Sequence, residues 1–148
     1  MLIKTKYHGN RDYEQKDIIN FEHGLPGFEN LTKFILFPVE ENDIFSILHS
    51  IEDVEIGLIV VSPFTILKNY EFDLKDSILE RLNIKNKSEV NVYNTVTLNS
   101  KVEDITTNLK APIIINIKDK IGEQIILQDE KYQINHPLLE EDFDVSNK

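Results

Sequence analysis

The stretch INFEHGLPGFE at residues 19–29 constrains the fold of this chain most, because a strand pattern there runs directly into a forced turn. Its first half alternates apolar and polar residues, the period of a half-buried strand. Pro26 presets the φ angle of the second turn residue, and Gly27 supplies the positive φ that the third residue of a type II turn needs. Leu25 and Phe28 therefore project from a stiff corner. They either pin this corner to the core or form a surface that holds a partner.

Short segments with strand character are spread along the rest of the chain. We predict strands at residues 2–6, 17–21, 34–37, 44–50, 56–61, 90–99, 113–117 and 124–127. Gly57, inside one of them, indicates a bulge or a close backbone approach. Residues 8–16 are polar and are predicted to be a loop. Only one helix is predicted, from Asp76 as its cap to Asn83 at its end. This pattern predicts a mostly-β protein, built as a rolled sheet or small barrel.

The length of 148 residues favours a single domain. We place that domain at residues 1–139. Residues 140–148 are acidic and lack apolar periodicity, so we expect a disordered tail there.

The composition excludes several classes of protein. The chain has no cysteine, which excludes disulfides and fits a reducing cytoplasm. The N-terminus lacks the apolar region of a signal peptide, and fully apolar runs such as residues 58–61 are far too short for a membrane span, so none is predicted. With 26 acidic and 16 basic side chains the net charge is −10, which repels nucleic-acid phosphates and attracts basic partners.

No pattern in the sequence predicts an active site, a metal site or a cofactor site. The four histidines, His8, His23, His49 and His136, are too far apart in sequence to suggest a shared metal face. The two glycines of the corner do not form a phosphate loop, because Pro26 removes an N–H group and no lysine follows. The serines lack the setting of a nucleophile elbow.

Two polar sites have alternative interpretations. Asn108 is typical of a turn asparagine that bonds its own backbone, or it belongs to a partner surface beside the corner. His49 and Ser50 are either a hydrogen-bonded pair at a strand end or part of the same surface.

Several motifs together resemble those of the FliW family of flagellar assembly factors. They run in order from residue 18 to residue 132: GLPGFE at 24–29, LHS at 48–50, SPF at 62–64 followed by Tyr70, TTNLKAPIIIN at 106–116, and GEQIIL at 122–127. His49 and Ser62 depart from the glutamine and aspartate that the family usually has there.

The resemblance implies a compact, partly open barrel of mainly antiparallel strands. It also implies a cytoplasmic, non-enzymatic regulator, monomeric when free, that binds flagellin and antagonises CsrA, a basic RNA-binding repressor of flagellin translation. The residues expected to bind partners are Leu25, Pro26, Gly27, Phe28, Glu29, His49, Ser50, Asn108 and Leu109. The alternative is a barrel that binds a small ligand, or an enzyme of unrecognised type. A pocket lined by convergent polar groups would favour that alternative.

Overall fold

The computed structural model describes residues 1–6, 8–39 and 44–138. The strands are β1 Leu2–Lys4, β2 Asn10–Asp12, β3 Ile19–Asn20, β4 Lys33–Pro38, β5 Phe45–Ser50, β6 Gly57–Val61, β7 Val90–Thr97, β8 Thr106–Thr107, β9 Ile113–Asn116, β10 Ile121–Gln124 and β11 His136–Pro137. The helices of this part of the chain are α1 Pro63–Ile66 and α2 Asp76–Arg81. The expected tail at 140–148 lies outside the described residues.

Seven strands close into a barrel. They follow one another around the ring in the order β7, β6, β5, β4, β3, β10, β9, and β9 pairs again with β7. All of these pairs are antiparallel except β10 with β3, which is parallel. The predicted mostly-β barrel with predominantly antiparallel strands is therefore confirmed, and the pairing of β7 with β9 closes the ring that was expected to be partly open. Beyond the barrel, β8 pairs with the end of β7 and β11 pairs with β8. Strands β1 and β2 form a separate hairpin.

Large apolar side chains fill the barrel interior. The buried cluster comprises Ile19, Phe21, Leu25, Phe34, Leu48, Val60, Ile113 and Ile115. The rings of Phe21 and Phe34 meet edge to face with their centroids 5.4 Å apart, a favourable geometry for aromatic pairs. A Cβ at Gly122 would lie 2.7 Å from the Phe21 ring, so a glycine is needed where β10 passes this core.

Further apolar clusters cover the outside of the barrel. Helix α2 places Ile78 and Leu82 on Ile114, the residue of β9 that faces away from the interior. This explains why β9 is apolar at every position from 113 to 115, since both of its faces are covered. On the other side, the β1–β2 hairpin packs Ile3 against Ile35 of β4.

The polar segment 8–16 was predicted to be a loop, but it contains β2. Gly9 adopts a φ of +71° and turns the chain back, so that residues 10–12 pair with β1 through backbone groups alone. Strand β2 therefore forms without an alternation of apolar and polar residues, because the polar residues on this edge of the hairpin do not need one.

The predicted bounds of the final barrel strand and of the helix are also corrected. The side-chain oxygen of Asn116 accepts hydrogen bonds from the N–H groups of residues 118 and 119, which tightens the turn and lets β10 begin at Ile121 rather than at 124. Asp76 is the first residue of α2 instead of its cap, which is Lys75. A second helix, α1, was not predicted, although Pro63 at its first position presets a helical φ.

Candidate protein-binding surface

The corner at residues 25–28 is a tight turn, as predicted. The N–H of Phe28 donates to the carbonyl of Leu25 at 2.7 Å, and Gly27 has a φ of +88°. Leu25 is buried in the barrel core, which decides between its two interpretations: it pins the corner. Phe28 is half-buried. Pro26, Gly27 and Glu29 are exposed and, with Phe28, form the part of the corner that a partner can reach.

His49 and Ser50 are buried and have structural roles. The Ser50 hydroxyl oxygen accepts hydrogen bonds from the N–H groups of residues 52 and 53, both at 3.0 Å, and so shapes the turn from β5 to β6. His49 lies with Nδ1 2.7 Å from the carbonyl of Ser50. A Cβ on Gly57 would approach the His49 ring to 2.6 Å, which is the close approach predicted at that glycine.

His49 belongs to an aromatic and cationic cluster beneath the β1–β2 hairpin. The His8 ring meets both Phe37 and His49 edge to face, and the Arg11 guanidinium lies 4.5 Å from the centroid of the Phe37 ring. Burial lowers the pKa of His8, and the neighbouring His49 and Arg11 lower it further. Protonating His8 therefore works against the docking of the hairpin.

Asn108 and Leu109 lie in a third place, outside the barrel next to Tyr70. The Asn108 side-chain oxygen accepts from the N–H groups of residues 110 and 111, the turn that its sequence context predicted. Leu109 is buried, and its carbonyl accepts a 2.6 Å hydrogen bond from the Tyr70 hydroxyl. Burial raises the pKa of Tyr70 to about 12, so this hydroxyl keeps its proton at neutral pH.

The predicted partner-binding residues therefore do not form one site. The segment that leads from the corner into β4 is joined to the β5–β6 turn, because a carboxylate oxygen of Glu52 accepts from the N–H groups of residues 32 and 33. Asn108 and Leu109 belong to a different cluster, around Tyr70. Of the nine residues, Asn108 and those at 26–29 are half-buried or exposed. The other four are buried, so they act by holding the backbone and the neighbouring residues in position.

Sequence reasoning missed an apolar groove on the outer surface. It has a volume of about 750 Å³ and lies between the loop that precedes α2, the segment that follows α2, and β7. Its apolar lining comes from Phe64, Tyr70, Phe72, Leu74, Leu79, Ile84, Val90, Val92 and Tyr93. Phe64 is 48% exposed although it is a large aromatic residue. Three apolar residues in an otherwise irregular segment, at 70, 72 and 74, were the signal available in the sequence.

The sequence has three groups of acidic residues, at 40–43, 52–55 and 71–76, which differ in how far they are neutralised within the chain. Glu55 forms an ion pair with Lys6 at 2.9 Å, and Glu52 is bound by backbone N–H groups. Glu71 and Asp73, which line the groove, and Asp76 have no ion pair within the described part of the chain. The acidic residues at 40, 41 and 43 lie outside the described residues.

Within residues 1–6, 8–39 and 44–138, no three His, Asp or Glu side chains gather in a way that could hold a metal ion. Over the same residues, no helix has the length and apolar character needed to cross a membrane. The strand pairing and packing described above define a small closed β-barrel whose interior is filled by side chains, with an apolar groove on its outer surface.

Comparison with known proteins assigns this barrel to a family. The sequence model described as "FliW protein" matches residues 2–138. The chain is 60% identical over 141 residues to the flagellar assembly factor FliW of Clostridium novyi, covering 95% of this chain and 99% of that protein. It is 57% identical to the FliW of Clostridium tetani, covering 96% and 98%. A crystal structure of the flagellar assembly factor FliW matches with a TM-score of 0.89 at 38% identity, over 95% of this chain and 99% of the other. The chain belongs to the FliW family of flagellar assembly factors.

Proposed function

We propose that this protein is a cytoplasmic, non-enzymatic regulator that binds flagellin and antagonises the translational repressor CsrA. Free flagellin occupies the protein while it accumulates. When flagellin is exported, the released protein binds CsrA and lifts the repression of flagellin synthesis. The observation that carries this proposal is full-length membership of a family of flagellar assembly factors.

The two partners require surfaces of different chemistry. A basic repressor is attracted by unneutralised carboxylates, which Glu71, Asp73 and Asp76 supply. Flagellin, with its amphipathic terminal segments, requires exposed apolar area, which the groove supplies. Glu71 and Asp73 also line the groove, so the two surfaces adjoin. This adjacency supports a protein that is occupied by one partner at a time.

The exposed part of the corner, Pro26 to Glu29, is proposed as a further contact with a partner. Phe28 supplies an accessible aromatic ring on a rigid turn, the type of residue that anchors interfaces. We also propose that residues 1–139 form one domain, that the chain is monomeric when free, and that residues 140–148 are a tail outside that domain.

The alternative function, a barrel that binds a small ligand, has less support. Among the described residues, apolar side chains fill the barrel interior, which argues against a ligand chamber inside it. A cavity of about 400 Å³ lies at the barrel mouth beneath β2, and its charged lining mixes Arg11 and Lys120 with Asp12 and Asp17. No observation assigns a ligand to it.

The proposal is tested by translation in vitro. Flagellin mRNA is translated in the presence of enough CsrA to repress it, and the purified protein is then added. We expect translation to recover, and we expect added flagellin monomer to restore repression. A charge-reversed variant, Glu71→Lys with Asp76→Lys, is compared with the wild type and should relieve repression less. If the wild-type protein leaves repression unchanged at saturating concentration, the antagonist function is wrong.

A further inference from the structure

The backbone of β7 has an unpaired edge next to the groove. Residues Val90–Tyr93 pair with β9, and the N–H of Ile117 donates to the carbonyl of Glu89. In an antiparallel pair, alternate residues direct both backbone groups to the same neighbouring strand. The groups of Asn91 and Tyr93 therefore point to β9, and those of Val90 and Val92 point to the opposite edge.

No strand in the described part of the chain pairs with that opposite edge. Strand β6 reaches β7 only at Asn94 and Thr95. No backbone hydrogen bond joins Val90 or Val92 to the irregular segment 67–75, which borders the same groove. The N–H of Val90 donates to the carbonyl of Lys87 in the turn before β7. The C=O of Val90 and both backbone groups of Val92 are thus available to a further strand.

Apolar side chains and this strand edge meet in the same groove. Val90 and Val92 line the groove together with Phe64 and Phe72, and both valines are half-buried. Addition of a strand needs both features, because backbone hydrogen bonds provide affinity and side-chain pockets provide specificity. A docked helix satisfies its own backbone groups and would leave the C=O of Val90 and both backbone groups of Val92 facing an apolar surface, which is unfavourable.

The rim of the groove carries charges of both signs. Glu71 and Asp73 lie on the loop before α2, and Lys85 and Lys87 lie after α2. None of these four side chains forms an ion pair with a described residue. They are complementary to a segment that has a basic residue on one flank and an acidic residue on the other. Two acids and two lysines balance, so salt should affect such binding weakly.

We infer that an extended apolar segment of flagellin docks in the groove and adds as a strand to β7 at Val90 and Val92. Its alternate side chains enter the apolar groove beside Phe64, and its flanking charges face the rim. This inference rests on the proposed function for the identity of the partner, and it adds the location and the mode of binding.

Amide hydrogen exchange, followed by NMR on the labelled protein with and without unlabelled flagellin, tests the mode of binding. In the free protein we expect slow exchange at Asn91 and Tyr93 and fast exchange at Val92, whereas the Val90 amide is already bonded to the carbonyl of Lys87. Saturation with flagellin should slow exchange at Val92 by about tenfold or more, since its amide gains a partner. The wild-type chain is used throughout, so no variant has to fold.

A variant tests the location. Phe64→Ala should weaken flagellin binding about fivefold or more, as expected when an aromatic anchor is lost. Leu98→Ala is the matched control, because Leu98 is 58% exposed and lies outside the groove, and it should bind like the wild type. Flagellin binding that leaves exchange at the Val92 amide unchanged, or that is indifferent to Phe64→Ala, overturns this inference and leaves the proposed function standing. Absence of flagellin binding to the wild type overturns both.

Discussion

The glycines of the corner offer a test that separates backbone strain from steric overlap. Gly24 and Gly27 both have positive φ, +66° and +88° respectively. A Cβ at Gly27 would meet nothing within 4 Å, whereas a Cβ at Gly24 would lie 2.5 Å from the carbonyl oxygen of Phe28 and 2.7 Å from the backbone of Glu29. Gly27→Ala therefore introduces strain alone, and Gly24→Ala introduces strain together with a clash against backbone that cannot rotate away.

The expected magnitudes follow from these two terms. The left-handed conformation costs an alanine about 1–2 kcal/mol, and the reduced entropy of the unfolded chain offsets about 0.4–1 kcal/mol of that cost. Gly27→Ala should therefore lower the free energy of unfolding by about 1 kcal/mol. Overpacking adds about 1–3 kcal/mol, so Gly24→Ala should lower it by about 2–4 kcal/mol.

Urea denaturation measures both values. With an m value of about 2 kcal/mol/M, the midpoint should fall by about 0.5 M for Gly27→Ala and by about 1–2 M for Gly24→Ala. Gly27→Asn is the control, since asparagine tolerates positive φ better than alanine and should lose less stability. Equal midpoints for the two alanine variants would refute the steric part of this reasoning. A neutral Gly27→Ala would refute the strain.

Three further predictions concern pH, a buried asparagine and the C-terminus. Burial lowers the pKa of His8 below 6.5, so the stability from its neutral form is present above pH 6.5 and is lost as the pH falls. Between pH 7 and pH 5 the Tm of His8→Gln should therefore fall less than the Tm of the wild type. The control is His23→Gln, because His23 is exposed, and its Tm should fall as the wild type does. Asn116 is fully buried, and its side chain bonds the carbonyls of the two residues after α2 and N–H groups of the β9–β10 turn. Asn116→Ala should therefore lower the free energy of unfolding, measured by urea denaturation, by about 2–4 kcal/mol, against less than about 0.5 kcal/mol for exposed Asn91→Ala. Truncation after Glu140 should leave the Tm nearly unchanged, and a loss above about 1 kcal/mol would show that the tail is packed.

The fold could be predicted from sequence because most of its barrel strands carry local signals. The Pro-Gly pair predicted the turn at the corner, and the apolar run predicted a strand at residues 113–117, where β9 lies. Register and closure could not be predicted, because the pairing of β7 with β9 depends on contacts between segments distant in sequence. Strand β2 could not be predicted either, since an exposed hairpin needs no apolar pattern.

The candidate site was harder to predict than the fold. Motifs selected Leu25, His49, Ser50 and Leu109. A motif does not distinguish a buried residue that supports a surface from a residue that is exposed on it. The groove depends on the packing of α2 and its flanking segments against β7, which no local pattern encodes. Only an unusual density of aromatic residues near Tyr70 pointed toward it.

The central claim is that this protein binds two partners through surfaces of different chemistry. Calorimetric titrations with flagellin and with CsrA, each at about 0.01 M and about 0.5 M salt, test it most directly. Over this range the Debye length falls from about 30 Å to about 4 Å, so binding that depends on unpaired carboxylates should weaken strongly. We predict that the Kd for CsrA rises far more than the Kd for flagellin, and that flagellin binding shows a clear negative heat-capacity change. Equal salt sensitivity of the two partners would contradict the claim.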